Sequence, residues 1–182
     1  CSSAAVAGRQ FKAQSVLGGA ITVAAPPGYC IDPAAVLQQA DSAIVLIGRC
    51  AAAPGKQRAR AILTAAVGEA GTGLGVAGSG AELAAFFTSD QGRAALSRSG
   101  RARTVKVLEA VGSGDAFLIR LTDTSPNKDG PGQAESWRAV MALKGRLVSL
   151  TVTGTVDAPL DRNAGRTLLD AYVAAMRAAN RG

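Results

Sequence analysis

The stretch SWRAVMALKGRLVSLTVTG, Ser136 to Gly154, reads as a β-hairpin, and the rest of the chain is understood from it. Trp137, Ala139, Met141 and Leu143 alternate with more polar neighbours, Lys144-Gly145 interrupts them, and Val148, Leu150 and Val152 resume the period of two. With Lys144 and Gly145 as a two-residue loop, Leu143 stands opposite Arg146, Met141 opposite Val148, Ala139 opposite Leu150 and Trp137 opposite Val152. That register gathers the bulky apolar side chains on one face. The other face carries Arg138, Val140, Ala142, Leu147, Ser149, Thr151 and Thr153, a semi-polar set suited to a second, lighter layer or to partial contact with solvent.

Downstream of the hairpin, Leu168, Leu169, Tyr172, Val173 and Met176 fall on one stripe of a helix from Asp161 to Ala179, with Arg162, Arg166, Asp170 and Arg177 facing away and Asn180 as its stop. Upstream lies a polar Pro/Gly loop, Thr124 to Ala134, long enough to be a candidate functional loop. Before it, Arg103 to Val111 and Asp115 to Asp123 alternate as two strands joined at Gly112-Ser113-Gly114. Ala81 to Ser97 is helical, with Ser79 and Glu82 at capping-box spacing, and is divided in two near Ser89-Asp90 and Gly92. In the N-terminal part, Ile21 to Ala25 and Arg60 to Gly68 read as strands. Asp32-Pro33 reads as the start of a short helix through about Gln39, and the apolar run within Ser42 to Cys50 as a strand buried on both faces. The class is therefore α+β: a largely antiparallel sheet with helices packed on its faces and an amphipathic C-terminal helix. Residues 1 to 18 read as a leader or linker, and 19 to 182 as a single α+β domain.

The hairpin WRAVMALKGRLVSLTVTG followed by a terminal amphipathic helix resembles the closing elements of the PsbP-like superfamily, and ITVAAPPGYCIDP resembles its opening strand, Pro/Gly turn and Asp-Pro. The resemblance covers about a third of the chain. It implies a PsbP-like sandwich and a non-enzymatic accessory protein, such as an envelope lipoprotein or an extrinsic subunit of a membrane complex. The pair Cys30 and Cys50 departs from that pattern.

The chain of 182 residues suits one core, built mainly from Ala, Val and Leu because aromatics are only 4%. A net charge of +7 favours anionic neighbours. No aromatics are interleaved with the basic residues, so nucleic acid is not expected. No apolar run approaches the roughly 18 residues that a spanning helix needs.

A start at Cys1 followed by Ser2, Ser3, Ala4 and Ala5 resembles a bacterial lipoprotein after signal-peptide cleavage, with the lipid on Cys1. The alternative is a chain that begins at a cysteine for no such reason. Ser2 behind the cysteine goes with outer-membrane sorting, so the expected address is the periplasmic face of a bacterial envelope. Setting Cys1 aside leaves Cys30 and Cys50, which in an exported protein read as a disulfide worth about 3 kcal/mol for its loop. Two free thiols, or a metal pair that would need carboxylates because His is absent, are the alternatives.

Catalytic patterns are sparse. Without His, Ser-His-Asp and Cys-His arrangements are excluded. Gly73-Leu74-Gly75-Val76-Ala77-Gly78 matches G-x-G-x-x-G, but no acidic residue follows about 20 positions on, so it reads as a connection and no cofactor is expected. Ser125 to Lys128 matches S-x-x-K in a loop rather than at a helix start. The densest basic cluster, Arg93, Arg98, Arg101 and Arg103, is the candidate contact with an anionic surface. Three classes stay open: a lipid-anchored accessory subunit that binds another membrane or periplasmic protein, a small-molecule or anion-binding periplasmic module, and, last, an enzyme. An exposed apolar patch of several hundred Å² favours the first.

Overall fold

A computed structural model describes residues 11–50, 61–72, 80–125, 132–155 and 159–181, the side chains of 132–134 excepted. In chain order the strands are β1 (Ala13–Val16), β2 (Ile21–Ala24), β3 (Tyr29–Gln38), β4 (Ala43–Arg49) and β5 (Ile62–Ala70). Helices α1 (Gly80–Thr88) and α2 (Asp90–Leu96) follow, then β6 (Val105–Ser113), β7 (Ala116–Asp123), β8 (Gly132–Leu143), β9 (Arg146–Thr155) and α3 (Arg162–Ala179). β3 to β9 form one sheet in the order β3-β4-β5-β9-β8-β7-β6, and each neighbouring pair is antiparallel. β1 and β2 make a separate two-stranded ribbon.

The β8–β9 hairpin has the register that the alternation predicts: Leu143 pairs with Arg146, Met141 with Val148, Ala139 with Leu150 and Trp137 with Val152. Its loop needs two residues in the left-handed region, and Lys144 (φ 50°) and Gly145 (φ 79°) both adopt it, as a primed turn between twisted strands requires. The bulky face packs against α3, where Trp137, Met141, Leu150, Leu169, Tyr172 and Met176 share one core with the apolar sides of β3–β5 and the β1–β2 ribbon. Asp161 caps α3 by accepting from the Ala164 N–H at 2.7 Å. Gly165 is needed there because a Cβ would come within 2.6 Å of the Trp137 ring, whose Nε1–H donates to the Arg162 carbonyl at 3.1 Å.

The helix closes on the sheet through charge as well. Arg162 binds Glu109, Arg177 reaches Asp115 and the Ser113 carbonyl, and Arg120 lies between Glu109 and Glu135 at 2.6 Å from each. Arg162 and Arg177 were expected to face away; they clasp the sheet edge instead. At the far end, the Asn180 side chain donates to the Thr22 carbonyl at 2.7 Å and accepts from the Thr22 N–H at 2.8 Å, fastening β2 to the end of α3.

Four expectations are corrected. Residues 32 to 39 are not a helix: Asp32 accepts from the Ala34 N–H at 2.9 Å in a local turn, and the ladder between β3 and β4 is interrupted between Ile31 and Val36. The Asp-Pro pair marks a bulge in a strand, where proline's missing N–H costs no ladder bond. β4 is not buried on both faces, because Ala43, Val45 and Ile47 are buried while Ile44 and Leu46 are exposed. Residues 13 to 16 belong to the folded domain rather than to a leader, since β1 begins at Ala13 and Val16 is fully buried. The turn between β6 and β7 falls at Gly114-Asp115, with Ser113 paired to Ala116. Cys1, the Ser79 cap, the Gly73 to Gly78 run and Lys128 lie outside the described residues.

Candidate functional site: the open half of the sheet

The structure divides the basic cluster into two parts. Arg93 pairs with Asp90 and also donates to the Ala102 and Val105 carbonyls. Arg98 is bound through its backbone as well as its side chain. Its N–H donates to Asp123 Oδ2 at 2.8 Å, and its guanidinium donates to the Ser125 carbonyl at 2.7 Å. Asp123 is buried; burial pushes its carboxyl up, but hydrogen bonds from the Arg98 N–H, the Ser125 hydroxyl and N–H, and the Thr104 hydroxyl hold it below the usual range. The hydroxyls of Ser97, Ser99, Thr104 and Ser125 bond to one another around it. Arg93 thus fastens α2 to the start of β6, and Arg98 fastens the exit of α2 to the end of β7. Arg101 and Arg103 remain exposed, with no bond from either guanidinium among the described residues. The polar loop is described at its start, where Thr124 donates to the Thr104 carbonyl and Ser125 joins the hydroxyls around Asp123, and β8 begins earlier than expected, at Gly132.

The face of the sheet opposite α3 is covered over half its width. Phe87 of α1 and Leu96 of α2 pack on Val105, Phe117, Ile119, Leu121 and Val140, so the two short helices cover β6, β7 and part of β8. On β3, β4 and β5 the same face holds Leu37, Ile44, Leu46 and Ile62, which are 63%, 46%, 46% and 37% exposed. The pairings place these residues in cross-strand rows. One row runs Leu37, Ile44, Ala66, Ser149, Val140, Phe117; the next runs Leu46, Thr64, Thr151, Arg138, Ile119. Each row begins on open apolar surface, crosses Ser or Thr in the middle and ends beneath α1 and α2. A hollow of about 260 Å³ opens on the same face beside Cys30, Asp32, Leu46, Gly48 and Ile62.

The outer corner of this half is closed by the Cys30–Cys50 disulfide, as the cysteine arithmetic predicts, with Cα atoms 4.9 Å apart. Lys12 Nζ lies 3.6 Å from Cys50 Sγ and donates to the Tyr29 carbonyl. Arg138 stands at the inner border, in the row that starts at Leu46. Its Nε is out of water and bonded to nothing, while the residue as a whole keeps a fraction of its surface accessible. Desolvation lowers its pKa, opposed only by the charge of Asp123, which is already engaged by Arg98 and Ser125. Sequence reasoning placed Arg138 on the semi-polar face but did not single it out. The signal was an arginine in mid-strand at a position flanked by Thr151 and Ile119.

A second concavity, of about 550 Å³, lies between the Pro26-Pro27 turn and the first turns of α3, around Tyr29, Leu160, Asn163 and Leu168. Among the described residues, no group of His, Cys, Asp and Glu is placed to hold a metal, and no helix is long and apolar enough to cross a membrane.

No family model and no curated protein matches the chain. Among solved structures it is similar to the Ran-binding protein Mog1p of Saccharomyces cerevisiae, at 14% identity over 95% of each chain with a TM-score of 0.51. It is also similar to a mutant of protein Mog1, at 13% identity over 94% of each chain with a TM-score of 0.49. At such identity the likeness is one of fold.

Proposed function

We propose that the chain is a non-catalytic, protein-binding module of the bacterial envelope, and that the open half of the sheet is its contact surface. The observation that carries this reading is the row of exposed aliphatic side chains on β3, β4 and β5, on a face whose other half is already covered by helices. A sheet face buried under helices on one half and bare on the other leaves apolar area for a partner to remove from water. Mog1p, whose overall fold the chain shares, is described as a Ran-binding protein, and the PsbP-like resemblance points the same way. The disulfide supports an oxidising compartment. Arg101 and Arg103, whose guanidiniums make no bond among the described residues, sit beside the start of β6 at the sheet edge opposite β3 and offer an acidic partner a separate cationic contact. A lipid on Cys1 belongs to the same proposal and is read independently, by intact mass of protein taken from its native membrane.

Photo-crosslinking tests the contact. A photoreactive residue at Leu46 or Ile44 should yield one discrete adduct in cells, and the same residue at Asp170, exposed on α3, should yield none. Equal labelling from both positions, or none from the sheet, refutes the reading.

A further inference from the structure

We infer that the partner presents an amphipathic helix whose apolar seam carries a carboxylate, and that Arg138 receives that carboxylate. The inference rests on the docking reading above and adds the chemistry of the occupant. Width argues for a helix: the open half spans β3, β4, β5 and β9, about 14 Å between the outer strands at roughly 4.8 Å per step, and a helix with its side chains is about 10 Å across. The other half of the same face is covered in this way already, by α1 and α2.

Charge argues for the carboxylate. Arg138 lies in the row Leu46, Thr64, Thr151, Arg138, three strand steps or about 14 Å from Leu46, so a helix laid over β5 and β9 meets Leu46 and Ile44 along one side and brings a long carboxylate side chain to Arg138 along the other. In the isolated protein the Nε of Arg138 has no acceptor. The anion whose charge opposes the desolvation, Asp123, is committed to Arg98 and Ser125, and the neighbours of Arg138 along the row are the hydroxyls of Thr151 and Thr64 and the side chain of Ile119. A guanidinium with its Nε out of water and no ion pair among the described residues is a burden on the fold, whereas a carboxylate arriving with the partner can take two parallel N–H bonds from it. Arg138 is thus a residue that folding alone would replace with an apolar one.

The test uses the full chain and two synthetic helices of about five turns with a Leu/Ala seam, identical except for Glu or Gln at the centre of that seam. Binding is measured by titration, with the methyl signals of Leu37, Ile44, Leu46 and Ile62 reporting the location. The Glu peptide should bind at least tenfold tighter than the Gln peptide and shift the Arg138 Nε–H resonance. Arg138→Met should bring the two affinities together while leaving the melting temperature of the free protein unchanged or higher. Leu46→Glu should abolish the binding of both peptides. If Leu46→Glu abolishes both but Glu and Gln bind equally, the docking face stands and the carboxylate proposal falls. If Leu46→Glu leaves both intact, or neither peptide binds the unaltered chain, the docking reading falls and takes the proposal with it. A Glu preference that survives Arg138→Met places the carboxylate elsewhere and also overturns it.

Discussion

The two faces of the sheet are built on different terms. Against α3, an 18-residue helix, nearly every inward side chain of β4, β5, β8 and β9 is removed from water, and the largest of them form one continuous core. On the opposite face, two helices of nine and seven residues cover the β6–β8 half, and β3–β5 are left with their aliphatic side chains in solvent. One face therefore carries the stability of the fold. The other is free to vary in what it meets, since losing contacts there does not unfold the chain.

The largest effect that tests this contrast is expected at the heart of the α3 face. Trp137→Ala should destabilise by about 3 to 5 kcal/mol in denaturant unfolding, because it removes a buried indole that packs against Gly165 and donates to the Arg162 carbonyl. A value near 1 kcal/mol would mean that this face is no more demanding than the other. Next comes the disulfide, which holds β3 to the end of β4 where no helix covers them. Replacing Cys30 and Cys50 together with Ser should lower stability by about 3 kcal/mol and leave the β8–β9 hairpin, followed by amide exchange, as protected as before.

Within the helix layer, Arg98→Glu should cost about 1 to 2 kcal/mol, since it sets a second anion against Asp123 and strands the Ser125 carbonyl. Arg101→Glu, with no bond to lose, should stay within about 0.5 kcal/mol. Equal effects at the two positions would erase the division of the basic cluster. Acid should act on the α3 clasp. Arg162, with Arg120, holds the Glu109 carboxyl down at about 2 against partial desolvation, so its contribution is present above the unfolded carboxylate value and fades as pH falls from about 4.3 towards 2. Glu109→Gln should flatten the acid limb of the stability curve over that window and leave the neutral region's slope unchanged. The smallest effect belongs to the open half: Leu46→Ser should change stability by no more than about 0.5 kcal/mol, measured in the same unfolding experiment.

The sequence was most legible where local chemistry and global fold agree. Trp137 to Val152 alternate because one face meets α3, and Lys144-Gly145 leaves a single register, so the pairing could be written down from the residues. The α3 stripe, the start of that helix near Asp161 and the cysteine pair were legible for the same reason. Asp32-Pro33 misled because an Asp side chain bonding two residues ahead and a proline without its N–H begin helices and bulge strands alike. The Ala43 to Ile47 run hid its alternation, since Ile44 and Leu46 are as apolar as the buried Val45 and Ile47. An aliphatic residue meant for a partner looks the same in sequence as one meant for the core. The arginine cluster misled in the opposite way: proximity along the chain could not reveal that Asp123, across the layer, engages Arg98.

The pairing of β5 with β9 has a further consequence for how the molecule is made. Val67 meets Val148, so strands from the N-terminal and C-terminal halves are joined in mid-sheet, and β3, β4 and β5 have a bare edge until the last hairpin is available. A nascent chain emerging in order would hold Leu63, Ala65 and Val67 beside that unmatched edge through the synthesis of α1, α2 and β6 to β8. Assembly then completes in one late step. β9 supplies the missing ladder, α3 covers the face behind it, and Asn180, after α3, fastens the β1–β2 ribbon that was made long before it.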